Sequence, residues 1–208
     1  MFRKLIRYIK TILNSPPIST WEQWLRMQGV EVRGSVSVYG MPRIICSGTM
    51  VLEDGVTLDS NPMSNMAGIV HPCSIEVTHG GKVFVGKNSG MSGVLICCQE
   101  SVYIGENVGI GANVTIYDTD SHPINPYERI HSSDPHLTKT KPVVIEDYAW
   151  IGANAMILKG VHIGKGAVIG AGSVVTSDVP ELTIFAGNPA RYIKDVDITD
   201  EQRKQIFK

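Results

Sequence analysis

Residue types and spacings suited to chemistry concentrate in one stretch, 117–142, which reads YDTDSHPINPYERIHSSDPHLTKTKP and holds three of the six histidines. His122 stands there in Asp-Ser-His-Pro, with Asp118 and Asp120 within four residues of it. An imidazole titrates near neutral pH, so at this position it can take a proton from a hydroxyl and pass it on. Either aspartate could orient that ring or bind the hydroxyls of an acceptor. Turn chemistry is the plainer use of the same residues. The four cysteines, Cys46, Cys73, Cys97 and Cys98, form no C-x-x-C pair and have no evident basic partner. They read as small hydrophobes in a reducing, cytoplasmic setting, and Cys97 or Cys98 is expected to fill an interior position.

Composition states what must hold this stretch in place. Hydrophobic residues are 43% and charged residues 19%, which excludes a largely disordered chain. Ile (23) and Val (22) far outnumber Leu (9), and Gly reaches 21. β-Branched side chains suit pleated surfaces, so the expected class is all-β with many tight turns. The net charge of −1 gives no electrostatic footprint for nucleic acid.

The strands have a period. Ile104, Ile110 and Ile116, then Ile145, Ile151, Ile157, Ile163, Ile169 and Val175, recur at a spacing of six, and Gly follows five of these nine. A helix cannot be amphipathic at six and a flat strand repeats at two. One short strand plus a corner takes six residues, and three such sides close a coil of 18 whose aliphatic residues stack inward. Val85, Met91 and Cys97 keep the frame before one inserted residue, Ile45, Val51 and Thr57 suggest an earlier coil, and 60–80 is irregular. Ile104 to Ile145 is 41 residues, one coil of 18 plus about 23 more, so 117–142 loops out of the solenoid. Long excursions from a regular scaffold tend to carry function.

The ends differ from the coil. Residues 2–14 place Phe2, Leu5, Ile6, Ile9, Ile12 and Leu13 on one helical face and Arg3, Lys4, Arg7 and Lys10 on the other, ending at Pro16-Pro17. Such a helix would pack on the body or a neighbouring subunit, or rest on an anionic membrane as a peripheral contact. It has no small-residue cleavage site of a signal peptide, and no apolar run of about 18 residues would span a bilayer. The expected division is 1–29 as amphipathic helix and linker, 30–190 as the solenoid, and 191–208 as a cap ending in a short helix. Thr199-x-x-Gln202 opens that helix as a capping box.

With hexapeptide coils, the His-Pro excursion, WIGANAMILKGVHIGKGAVIGAGSVVTSDVP and AGNPARYIK, the chain resembles the left-handed β-helix acyltransferases. Within them it is most similar to sugar O-acetyltransferases of the maltose, galactoside, Nod-factor and capsule or O-antigen type. The resemblance is specific over about 83–194 and weaker over 30–82. It implies acetyl transfer from acetyl-CoA to a carbohydrate hydroxyl, in polysaccharide biosynthesis, by a homotrimer with sites between subunits. It implies His122 as catalytic base with Asp120 beside it, and Trp150 lining the pantetheine groove. Ala153 and Ala171 would offer backbone groups to pantetheine, Thr176 and Ser177 would lie near the adenosine, and Arg191 and Lys194 would meet the phosphates. The acceptor-binding Asn and Asp of the galactoside enzymes are absent, since that stretch reads NSGMSGVLICCQES. Asp118, Ser89, Ser92 or Gln99 would then serve, on an acceptor other than simple glycosides.

Three readings compete. N-acetylation of an amino sugar is the alternative within the enzyme class. A γ-type carbonic anhydrase would need zinc, for which His131 and His136 have a usable spacing, but Leu95 stands where a third histidine is required and no metal is expected. A non-catalytic solenoid would need neither the His-Pro excursion nor the cationic cap.

Overall fold

The computed structural model describes residues 20–64, 66 and 68–207. The amphipathic helix expected over 2–14 lies outside them.

Strand alternation sends every third strand of the chain to the same side, so three parallel sheets wrap one interior. The first sheet stacks β1 (Val30–Val32), β4 (Thr49–Leu52), β7 (Lys82–Val85), β10 (Ser101–Ile104), β13 (Val143–Ile145) and β16 (His162–Ile163). The second stacks β2 (Val36–Tyr39), β5 (Val56–Asp59), β8 (Gly90–Ser92), β11 (Gly109–Ile110), β14 (Trp150–Ile151) and β17 (Val168–Ile169), and ends on β19 (Thr183–Gly187) and β20 (Ala190–Asp195). The third stacks β3 (Arg43–Cys46), β6 (Ser74–Val77), β9 (Leu95–Cys98), β12 (Thr115–Tyr117), β15 (Met156–Ile157) and β18 (Val174–Val175). This is the left-handed parallel β-helix that the hexapeptide period implies.

Register confirms the period where it is regular. Ile104 lies beside Ile145 and Ile145 beside Ile163, while Ile110, Ile151 and Ile169 form a second ladder and Ile116, Ile157 and Val175 a third. All nine are buried. Each ladder steps across the excursion as if it were one corner.

Corners need two kinds of residue. Asn154 takes the left-handed turn at φ 59, the position Gly172 fills one coil later at φ 69. Gly152 is required for a different reason: a Cβ there would lie 2.5 Å from the amide nitrogen of Ala171 in the next coil.

The earlier coils correct the expected frame. Ile44, Leu52 and Leu58 join the core, whereas Ile45 is exposed, Thr57 half-buried and Val51 outside the core cluster. Likewise Ile96 and Cys98 point inward, and Cys97 faces outward, half-buried. A one-residue slip in a strand exchanges its two faces. Burial pushes the Cys73 and Cys97 thiols up, and burial together with the charge of Asp118 pushes Cys98 up to about 12.

Both ends of the core are covered. α1 (Trp21–Met27), capped by the Thr20 hydroxyl accepting from Gln23 N, buries Leu25 and packs on β1 and β2. This helix falls where only a linker was expected. At the other end β19 and β20 pair antiparallel, and α3 (Asp200–Ile206) follows with the expected Thr199–Gln202 capping box.

Candidate active site

The excursion leaves the β-helix after β12 and returns before β13, at the edge between the third and first sheets. Its two legs are zipped at the neck. Thr119 bridges Thr140, Asp120 N donates to Lys139 O at 3.0 Å, and Lys141 N donates to Asp118 O at 2.9 Å. Beyond the neck it carries α2 (Pro126–His131), capped by Asn125, and a 3₁₀ turn at Pro135–Leu137.

The two aspartates have separate fates. Asp118 is 0% exposed, and its carboxylate accepts from Gln99 N at 2.8 Å, Glu100 N at 2.7 Å and Ser101 N at 2.8 Å. The turn after β9 leaves those three amides without ladder partners, and the carboxylate satisfies them. Asp118 therefore holds the neck to the coil and cannot reach an acceptor. Asp120 lies at the neck's rim with Oδ1 2.7 Å from Lys159 Nζ, and Oδ2 is buried without a hydrogen-bond partner. Its ion pair is with Lys159 and not with His122. His122 itself is exposed, just past Ser121 at φ 62.

Between the excursion and the edge runs a cleft of about 910 Å³. His79, Gln99 and Lys159, from three different coils, form its floor, and the excursion supplies Ile124, His136 and the leg from Thr138 to Lys141. Gln99 Oε1 accepts from the Thr119 hydroxyl at 3.2 Å, so this side chain stands at the neck as one of the expected alternatives to Asn or Asp. Ser89 does not. It is buried inside the coil, donating to Gly105 O at 2.7 Å and accepting from Val108 N at 2.9 Å, which removes it from any acceptor. Ser92 is half-buried on β8, in a different sheet.

Lys159 was not singled out in the sequence. Its signal was the register: Ile116 pairs with Ile157, so the residue two beyond Ile157 stands one coil past Asp118. Of the paired histidines, His131 packs on Tyr127 at 4.6 Å between ring centroids, and His136 N donates to Asp134. Among the described residues no three His, Cys, Asp or Glu side chains are grouped to hold a metal.

The remaining expected residues occupy another face. Trp150 is 60% exposed on β14, in a row with Val168, Ile184 and Lys194 across the second sheet. Arg191 stands beside Ala186 at the other end of β20, exposed, with Nη1 donating to Ala190 O at 3.0 Å. Ala153 and Ala171 stack at the adjoining corner, where Gly172 N donates to Ala153 O at 2.8 Å. Thr176 and Ser177 leave this group: they follow β18 and lie exposed on the excursion's edge, one coil past Lys159. One copy of the chain thus holds the two groups of candidate residues on separate edges, with an entire sheet between His122 and Trp150.

Residues 142–177 match the family described as bacterial transferase hexapeptide (six repeats). Those residues carry the hexapeptide repeat of that transferase family. It is 39% identical over 99 residues to a galactoside O-acetyltransferase of Lactococcus lactis, covering 48% of this chain and 45% of that one. It is also 39% identical over 102 residues to a 2,3,4,5-tetrahydropyridine-2,6-dicarboxylate N-acetyltransferase of Staphylococcus aureus, covering 49% of this chain and 36% of the relative. Among solved structures, a hexapeptide-repeat acetyltransferase of Vibrio cholerae complexed with acetyl-coenzyme A shares 33% identity at a TM-score of 0.52, covering 59% of this chain and 64% of that one. The chain spans less than half the length of these two curated relatives. Both oxygen and nitrogen acetylation occur among these hexapeptide-repeat relatives.

Proposed function

We propose that this chain is an acetyl-CoA-dependent acetyltransferase that acetylates a hydroxyl of a carbohydrate, with His122 as general base. The observation that carries this reading is the exposed His122 just past the neck of the long excursion, two residues before Ile124, which lines a cleft wide enough for a sugar.

The outer face of the second sheet fits the donor. An exposed indole continues through Val168 and Ile184 to Lys194, with Arg191 nearby, so an apolar strip leads to cations over about 14 Å at the usual strand spacing. Pantetheine suits the first part and phosphates the second. Acetyl-CoA supplies the acetyl carbonyl and the leaving thiolate. His122 takes the proton from the acceptor hydroxyl as its oxygen bonds to that carbonyl, then returns the proton to the departing sulfur. The free Oδ2 of Asp120 is an acceptor for the ring N–H or for a sugar hydroxyl once ligand fills the cleft. Because the half-sites stand on separate edges, a complete site takes His122 from one copy and the Trp150 face from another. A closed ring of three copies gives every copy both roles.

His122→Ala is expected to lower transfer by about 10²–10⁴-fold with acetyl-CoA binding intact, read as thiol release and by titration of the cofactor. Activity within threefold of wild type removes His122 from the mechanism. The product should be an ester, so hydroxylamine should release the acetyl group. A hydroxylamine-stable product would assign nitrogen as the acceptor atom.

A further inference from the structure

The cleft under the excursion has a charge pattern that acetyl transfer by itself does not use. Lys139, Lys141, Lys159, His79 and His136 line it, and its described lining includes no carboxylate. Three acids of the excursion lie outside that lining. Asp118 is held by backbone amides, Asp120 by Lys159, and Asp134 accepts from His136 N. Lys139 and Lys141 are exposed and make no ion pair with any described residue. Both are rooted in the neck through their backbones, and the Lys141 stem rests against Gly160, where a Cβ would lie 2.8 Å from its Cδ. Two unpaired positive charges, Lys139 and Lys141, are gathered here although the chain as a whole carries −1.

We infer that the acceptor is an anionic glycan, a sugar bearing a carboxylate or a phosphate, whose charged group is held by Lys139 and Lys141 while its hydroxyl faces His122. This rests on the acetyl-transfer reading. A cleft lined by one sign of charge concentrates ligands of the other, and ammonium groups bond carboxylate or phosphate oxygens through charge-assisted hydrogen bonds. A neutral sugar gains nothing from two unpaired ammonium groups. The donor strip already ends on cations of its own, Arg191 and Lys194.

The test uses the full chain and three matched oligosaccharides: neutral, uronate-bearing and phosphate-bearing. Calorimetric titration without acetyl-CoA should show one anionic ligand binding at least about tenfold more tightly than the neutral one. The advantage should shrink as salt rises from about 50 to about 300 mM. The anion that wins separates carboxylate from phosphate. Lys139→Gln with Lys141→Gln should erase the preference and raise the acceptor KM about tenfold, the rise falling on the acceptor and not on acetyl-CoA. Equal binding of all three ligands overturns the inference, as does a double variant whose KM rises for acetyl-CoA instead. Binding needs no turnover. A charge preference without transfer to any acceptor would therefore count against acetyl transfer while leaving the anionic cleft standing.

Discussion

The carboxylate of Asp118 accepts three backbone amides at the turn after β9, and that arrangement fixes what its replacement should do. Asn at this position keeps one acceptor oxygen but turns an NH₂ toward N–H groups that are already donors. One buried donor left facing another donor costs about 1–3 kcal/mol, so Asp118→Asn should lower unfolding stability by about that amount in urea titration. If Asp118 served the acceptor instead, the same variant would lose activity at unchanged stability. Asp120, two residues on, is the contrasting case: its pair with Lys159 fixes one oxygen, and the other is buried without a hydrogen-bond partner.

At the scale of the coil, the glycines separate close approach from backbone strain. Gly152 faces the backbone of the next coil, with Ala171 N at 2.5 Å and Ile169 O at 2.7 Å from a Cβ, and backbone there is held by the ladder. Gly152→Ala should therefore cost at least about 2 kcal/mol, the upper range of overpacking. At Gly172 the space is open and only φ 69 must be tolerated, as Asn154 already does one coil earlier. Gly172→Asn should cost less than about 1 kcal/mol, since Asn visits this region readily. Thermal unfolding of the two variants side by side tests the distinction, and equal losses would contradict it.

For the whole molecule, the proposed mechanism needs an oligomer, because a full sheet separates His122 from Trp150. A His122→Ala protein and a Trp150→Ala, Arg191→Ala protein should each be nearly inactive alone. Unfolding and refolding them together should restore activity, because some mixed rings then contain one interface with His122 from one parent and the intact donor face from the other. The restored rate should appear only after subunits exchange and should track trimers in light scattering. Activity confined to each parent's own residual level would place the whole site within one chain.

How far the residues alone determined this protein varies along the coil. From Ile104 to Val175 the inward ladder was legible because an aliphatic residue recurs every six positions on both sides of the excursion, with Gly after five of the nine, and that recurrence fixes the frame even where a neighbour is apolar, as at Ile157-Leu158. The excursion was legible as a break in that count, and His122 as the titratable group within it. In the earlier coils the frame was not legible, because Ile44-Ile45, Val51-Leu52 and Cys97-Cys98 each offer two apolar neighbours, and either frame buries one of them. Only packing against adjacent coils chose Ile44, Leu52 and Cys98. The fates of Asp118 and Ser89 were likewise decided in three dimensions, since a carboxylate or hydroxyl turns inward only where neighbouring coils present unpaired amides. Lys159 entered the site for the same reason. Its distance from Asp120 along the chain is 39 residues, and only the stacking of coils across the excursion makes it 2.7 Å.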